Sequence, residues 1–186
     1  MKYNYWYWNN LISLEDRKQI VDHIENNFDF YEDESLYNSD HKKTDKVKQI
    51  QWRKIKHFDS LSNILENMKI INEKHFGYNI FDMYNTNVLN LTNYSLINES
   101  KYDWHIDTSK EILTDIKFTG LINLSTESYE GGEFQLKTSN NNETVNEFKQ
   151  GGDVILFKSN ILHRVLPITK GIRKTLAVFF YGPKFI

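Results

Sequence analysis

Three residues in this sequence have side chains suited to holding a divalent metal: His105, Asp107 and His163. On an extended strand, residues two apart point to the same face. His105 and Asp107 would therefore project together, with Ile106 on the other side. By itself a His-x-Asp pattern arises often by chance, and an exposed or hydrogen-bonded histidine is the plain reading. His163 alters that reading, because it lies in a second short apolar segment between Ile161-Leu162 and Val165. Two imidazoles and one carboxylate on facing strands form a 2-His-1-carboxylate set that leaves coordination positions open. Such a set suits non-haem Fe(II) that must also take O2 and a bidentate co-substrate. His23, His41, His57 and His75 have no neighbouring ligand at a useful spacing, and we read them as structural or solvent-facing. Arg173 is the remaining residue of interest. It enters an apolar segment in which Arg173, Thr175, Ala177 and Phe179 share one face, and Leu176, Val178 and Phe180 the other. A guanidinium there is costly unless paired, and its planar fork suits a carboxylate. The alternative is an arginine at a strand end that reaches solvent or a surface aspartate.

These residues need elements to position them. Ser13 before Leu14-Glu15-Asp16 is an N-cap with an acidic first turn, and Ile20, Val21, Ile24 and Phe28 continue at helical spacing. A second amphipathic helix opens near Ser60, carries Leu61, Ile64, Leu65, Met68 and Ile71, and stops at Gly77. Between the two, residues 29–59 begin acidic and end basic, with Tyr31, Tyr37 and Trp52 interleaved. They read either as a solvated loop followed by an edge strand from about Val47 to Ile55, or as a lid over a substrate.

From about residue 86 the texture changes to short apolar and β-branched runs between turn clusters. Strands are expected at Asn87–Tyr94, Tyr102–Asp107, Lys117–Leu124, Glu133–Lys137, Asp153–Phe157, Leu162–Leu166 and Arg173–Tyr181. Roughly eight short strands at regular spacing argue for a double-sheet β core of jelly-roll type. The expected fold is α+β: a double-stranded β-helix core over residues 86–186, with helical support and a lid or loop over residues 1–85, all in one domain.

Composition excludes other classes. The 186 residues contain no Cys, which removes disulfides, zinc fingers and thiolate nucleophiles and fits a reducing compartment. We expect a cytoplasmic protein, since the first ten residues are not a signal peptide and no apolar run is long enough to span a membrane. A net charge of −2 gives no reason to expect a nucleic-acid partner. Nothing fixes an oligomeric state.

From Tyr94 to the C-terminus the sequence resembles the Fe(II)/2-oxoglutarate dioxygenases of the prolyl 4-hydroxylase type, in particular their bacterial and phage-encoded prolyl-hydroxylase-like group. The residues that carry the resemblance are Tyr94, Trp104-His105-Ile106-Asp107, Tyr129-Glu130-Gly131-Gly132-Glu133-Phe134, Gly152-Asp153-Val154 and the run His163–Arg173. The resemblance implies that His105, Asp107 and His163 bind Fe(II) and that Arg173 pairs with the distal carboxylate of 2-oxoglutarate. It implies that Tyr94 hydrogen-bonds that co-substrate, that Asn123 lines the same pocket and that Phe134 walls it. A hydroxyl that the family often carries four residues after the arginine is Ala177 here, so Thr175 or Tyr94 would take its place. The glycine-containing segment that usually precedes the metal motif is Ser95–Lys101, without Gly. The implied reaction hydroxylates a prolyl or similar aliphatic C–H in a peptide, protein or small molecule, releases succinate and CO2, and draws on ascorbate as a reductant. Two other readings stay open. AlkB-like nucleic-acid demethylases share the triad but carry a second arginine where this chain has Phe179, and a jelly-roll binding module could keep the fold without the metal.

Overall fold

The computed structural model describes residues 3–29, 46–96, 101–109, 112–138 and 141–185. Two helices sit on the N-terminal side. Helix α1 (Leu14–Asn27) starts at Ser13, whose Oγ accepts from the Asp16 N–H at 3.1 Å. This satisfies one of the donors a helix start leaves open. Helix α2 (Asp59–Ile71) runs into a single π-turn, Asn72–Phe76, and ends at Gly77 with φ 68°. Both helices fall where the apolar periodicity places them.

The strands are β1 (Tyr5–Trp8), β2 (Lys46–Gln51), β3 (Val88–Ser95), β4 (Tyr102–His105), β5 (Thr114–Asn123), β6 (Glu130–Gly131), β7 (Phe134–Lys137), β8 (Asn142–Thr144), β9 (Val154–Lys158), β10 (His163–Val165), β11 (Ile168–Lys170) and β12 (Ile172–Pro183). A six-stranded sheet has the order β1-β9-β5-β12-β3-β2, a four-stranded sheet the order β4-β10-β7-β8, and β11 pairs with β6. Every pairing is antiparallel. This is the expected α+β jelly roll, with more strands than the turn clusters suggested.

Strand alternation divides the large sheet into two faces. Leu89, Leu91, Phe118, Ile122, Leu156, Leu176 and Val178 face the helices and pack with Ile20, Ile24, Leu61, Ile64 and Met68. Each such fully buried aliphatic side chain contributes about 2 kcal/mol. The other face meets the small sheet through Tyr94, Phe134, Leu136, Phe148, Ile155, Phe157 and Val165. The chemistry-bearing residues lie on this second face. No helix among the described residues is long and apolar enough to cross a membrane.

Three local expectations change. Tyr5–Trp8 adds a strand to the edge of the large sheet against β9, where an all-aromatic run gives no polar alternation to read. The strand expected from Val47 to Ile55 stops at Gln51, because the chain then winds into a 3-10 turn, Trp52–Lys54, in which the Ile55 and Lys56 N–H groups donate back to the Trp52 carbonyl. The strand expected through Asp107 stops at His105. Residues 30–45, which include His41 and about half of the segment 29–59 read as a loop or a lid, and residues 97–100 lie outside the described residues.

The tight turn between β6 and β7 carries Gly131 at φ 76° and Gly132 at φ 69°. A Cβ on Gly131 would run into the Pro167 carbonyl oxygen and stand 2.9 Å from the Thr169 nitrogen, both backbone atoms that cannot swing aside. A non-glycine residue in this left-handed region costs about 1–2 kcal/mol before any clash. Gly131→Ala should therefore destabilise the fold by more than about 2 kcal/mol, read as a lowered denaturant midpoint. An unchanged midpoint would show that the turn can relax.

Candidate active site

Two strands of the small sheet bring the imidazoles together. His105, the last residue of β4, is the Cα partner of His163, the first residue of β10. Their ring centroids are 4.1 Å apart. Each ring is held from behind, with His105 Nδ1 2.7 Å from the Asp103 carbonyl oxygen and His163 Nδ1 2.9 Å from that of Ile161. A carbonyl accepts only, so Nδ1 carries the proton and the Nε2 lone pairs face inward.

Asp107 reaches the same point from just beyond β4. Its N–H donates to the Ser159 carbonyl at 3.0 Å. Its Oδ2 accepts from Thr119 Oγ1 at 2.6 Å. His105 Nε2 lies 3.8 Å from Asp107 Oδ1, and His163 Nε2 3.6 Å from Asp107 Oδ2. One donor atom from each residue lies within 4.8 Å of the others, and no other such group is present among the described residues.

The electrostatics suit a cation. Burial pushes His163 down to about 4. Burial and the neighbouring His163 push His105 down to about 4 as well. Both rings are therefore neutral at physiological pH, as metal ligation requires. Burial pushes the Asp107 carboxyl up, against the hydrogen bond from Thr119. A buried carboxylate facing two neutral imidazoles lacks a positive partner, and a divalent ion supplies one.

The pocket around these three is walled by Tyr94, Thr119, Leu121, Phe134, Val165 and Ala177, with Phe179 beside them. Arg173 lies on the same face of β12 as Ala177 and Phe179. It is fully buried, yet Nε, Nη1 and Nη2 all lack a hydrogen-bond partner. Its Cζ sits 5.2 Å from the Tyr94 ring centroid and 5.3 Å from that of Phe148. Thr175, next on that face, has a buried Oγ1 that also lacks a partner. A partnerless guanidinium beside a partnerless hydroxyl fits the carboxylate end of a dicarboxylate such as 2-oxoglutarate.

The remaining expected residues fall as follows. Tyr94 and Phe134 are pocket walls. Asn123 is fully buried, but its amide is already engaged, donating to Tyr129 Oη at 2.8 Å and accepting from the Ser125 N–H at 3.1 Å. His75 stacks on Trp6 with centroids 4.5 Å apart, and His23 and His57 pack around Phe58. All three lie away from the metal-ligating cluster. Thr119 was not anticipated. Its signal is the alternation Thr119, Leu121, Asn123, which puts its hydroxyl on the pocket face of β5.

The family model of the 2OG-Fe(II) oxygenase superfamily matches residues 89–181, half of the chain. The chain belongs to that superfamily. It is an enzyme family that works with Fe(II) and 2-oxoglutarate, and the donor set and the buried guanidinium without hydrogen-bond partners described above fit both. A PKHD-type hydroxylase of Teredinibacter turnerae is 32% identical over 83 residues, which is 41% of this chain and 35% of that protein. The chain spans about a third of the length of the curated relatives it matches. Among solved structures, a Pseudomonas putida prolyl-4-hydroxylase superposes with a TM-score of 0.69 at 13% identity, covering 97% of this chain and 94% of the other. A Trichoplax adhaerens prolyl hydroxylase, solved with a hypoxia inducible factor oxygen degradation domain peptide fragment, gives 0.70 at 16% identity over 97% and 84%. At these identities the structures speak for the oxygenase fold. The position at which AlkB-like demethylases carry a second arginine is here the Phe179 pocket wall.

Proposed function

We propose that this chain is a 2-oxoglutarate-dependent Fe(II) dioxygenase that hydroxylates a prolyl or similar aliphatic C–H in a peptide or protein. One observation carries the reading: a fully buried guanidinium without hydrogen-bond partners, on the strand face that also walls the pocket of a His-Asp-His cluster. A metal site alone would not need Arg173, and a structural arginine would not be left unpaired.

In this reading His105, Asp107 and His163 hold the iron through their inward nitrogen and oxygen atoms. Arg173 takes the distal carboxylate of 2-oxoglutarate, with Thr175 and Tyr94 as hydrogen-bonding neighbours. Iron with 2-oxoglutarate supplies O2 activation, so that one oxygen atom goes to the substrate C–H and the other to succinate, with loss of CO2. The protein holds ligands and co-substrate in one geometry and keeps the site dry through Leu121, Phe134 and Val165. The superfamily membership supports the co-substrate, and the peptide complex of the Trichoplax neighbour supports a peptide substrate.

Thr119 orients Asp107 through its 2.6 Å hydrogen bond. Thr119→Val keeps the volume and removes the donor. Iron affinity should fall about 10–100-fold, as it does when ligand-orienting partners are lost elsewhere, with the thermal midpoint nearly unchanged. Equal iron affinity in the two proteins would remove Thr119 from the account.

The substrate class is tested with a panel of proline-containing and proline-free peptides under air, iron and 2-oxoglutarate. The expected result is gain of one oxygen atom by mass spectrometry on a proline-containing peptide, coupled to succinate release. Succinate release with no peptide oxidised anywhere in the panel would sink the prolyl assignment and leave the co-substrate assignment standing.

A further inference from the structure

The observation that singles out Arg173 recurs at one other residue. Among the described residues only Arg17 and Arg173 have buried guanidinium nitrogens without hydrogen-bond partners. Arg17 is 8% exposed, and its Nε and Nη1 are the unpartnered atoms. It lies on the buried stripe of α1 with Ile20, Val21 and Ile24, on the opposite side of the large sheet from the metal pocket's walls. The function proposed above makes no use of it.

Arg17 lines a polar cavity of its own, together with Ser125, Ser128, Tyr129, Lys149 and Gly151. The loop beside it is shaped for the guanidinium. A Cβ on Gly151 would stand 3.0 Å from Arg17 Nη1, and one on Gly152 would stand 2.6 Å from it. Ser125 is 2% exposed, and its Oγ accepts from the Lys174 N–H at 3.0 Å, so its own proton remains to be donated. The nearest buried opposite charge is Asp153, which Arg17 feels electrostatically without forming an ion pair. That carboxylate is saturated by other donors: Oδ1 by the Asn10 N–H at 3.1 Å and Asn9 Nδ2 at 3.3 Å, Oδ2 by the Lys149 N–H at 3.1 Å and the Gln150 N–H at 2.6 Å. Glu127 on the rim is exposed and opposes an anion only through solvent.

The geometry points to a second ligand site at Arg17, an oxyanion site for a small carboxylate or a phosphate group, held by the Arg17 fork with the Ser125 hydroxyl as a further donor. An oxyanion in the cavity would give the guanidinium the close opposite charge that Asp153 does not.

Binding is measured by calorimetry on the iron-loaded, 2-oxoglutarate-saturated protein under anaerobic conditions, so that the active site is already filled. Inorganic phosphate and acetate serve as separate probes. At least one should bind. Tighter phosphate identifies a phosphate ligand, and tighter acetate a carboxylate. Arg17→Met should weaken that binding at least tenfold, Arg17→Lys should restore part of it, and Ser125→Ala should weaken it several-fold. Thermal midpoints of the three variants establish that they fold. Equal binding by wild type and Arg17→Met, or no binding of either probe at tens of millimolar, would overturn the site and leave Arg17 balanced by Asp153 alone. The readout does not depend on turnover.

Discussion

His163→Ala should abolish iron-dependent turnover. The ring is one of three inward donors. Apart from the other two donors, the side chains packed on it include Phe134 and Phe157, at ring-centroid distances of 5.8 and 4.7 Å, which cannot ligate. Losing a residue that merely orients a ligand costs about 10–100-fold in metal affinity, so losing the ligand itself should cost more than about 100-fold. The truncation also leaves a cavity, worth about 1–3 kcal/mol at a site this enclosed. His163→Gln, which refills most of the volume, separates the two effects. Iron titration should show binding lost in both variants, while the thermal midpoint recovers in the glutamine protein. Wild-type iron affinity in His163→Ala would remove His163 from the metal site.

Arg173→Met should separate co-substrate binding from stability in the opposite sense to most core substitutions. The side chain is fully buried with three partnerless nitrogens. A buried charge in that state is destabilising, and a methionine of similar length removes it. The variant should therefore melt no lower than wild type without 2-oxoglutarate. With 2-oxoglutarate it should lose the carboxylate pairing, worth about 3 kcal/mol, or a roughly 100-fold higher KM for the co-substrate. Wild type should gain thermal stability on adding 2-oxoglutarate and the variant should not. Arg173→Lys should fall between them, since a single ammonium cannot reproduce the fork. An unchanged KM in Arg173→Met would show that the guanidinium serves the fold.

What could be read from the sequence, and what could not, follows the range of the interactions. The division of β12 into a pocket face with Arg173, Thr175, Ala177 and Phe179 and a core face with Leu176, Val178 and Phe180 needs only the two-residue period, and it holds. The juxtaposition of His105 and Asp107 was legible for a reason that is only half right. The strand ends at His105, and Asp107 is brought back by its N–H to Ser159 and its carboxylate to Thr119, partners far away in sequence. The pairing of His105 with His163 depends on the register of β4 against β10, and no local pattern encodes that. Arg17 shows the reverse case. It stands three and four residues before Ile20 and Val21, on the buried stripe of α1, so helical spacing alone marks it as a charge turned inward. The apolar members of the stripe do not by themselves reveal it.

The most direct test of the account is succinate formed from 2-oxoglutarate under air by the purified protein, with and without Fe(II), beside His163→Ala. Iron-dependent succinate is expected even without a substrate, slow and uncoupled, and none above background in the variant. No succinate from protein shown to be folded and iron-loaded, or equal amounts from wild type and His163→Ala, would contradict it.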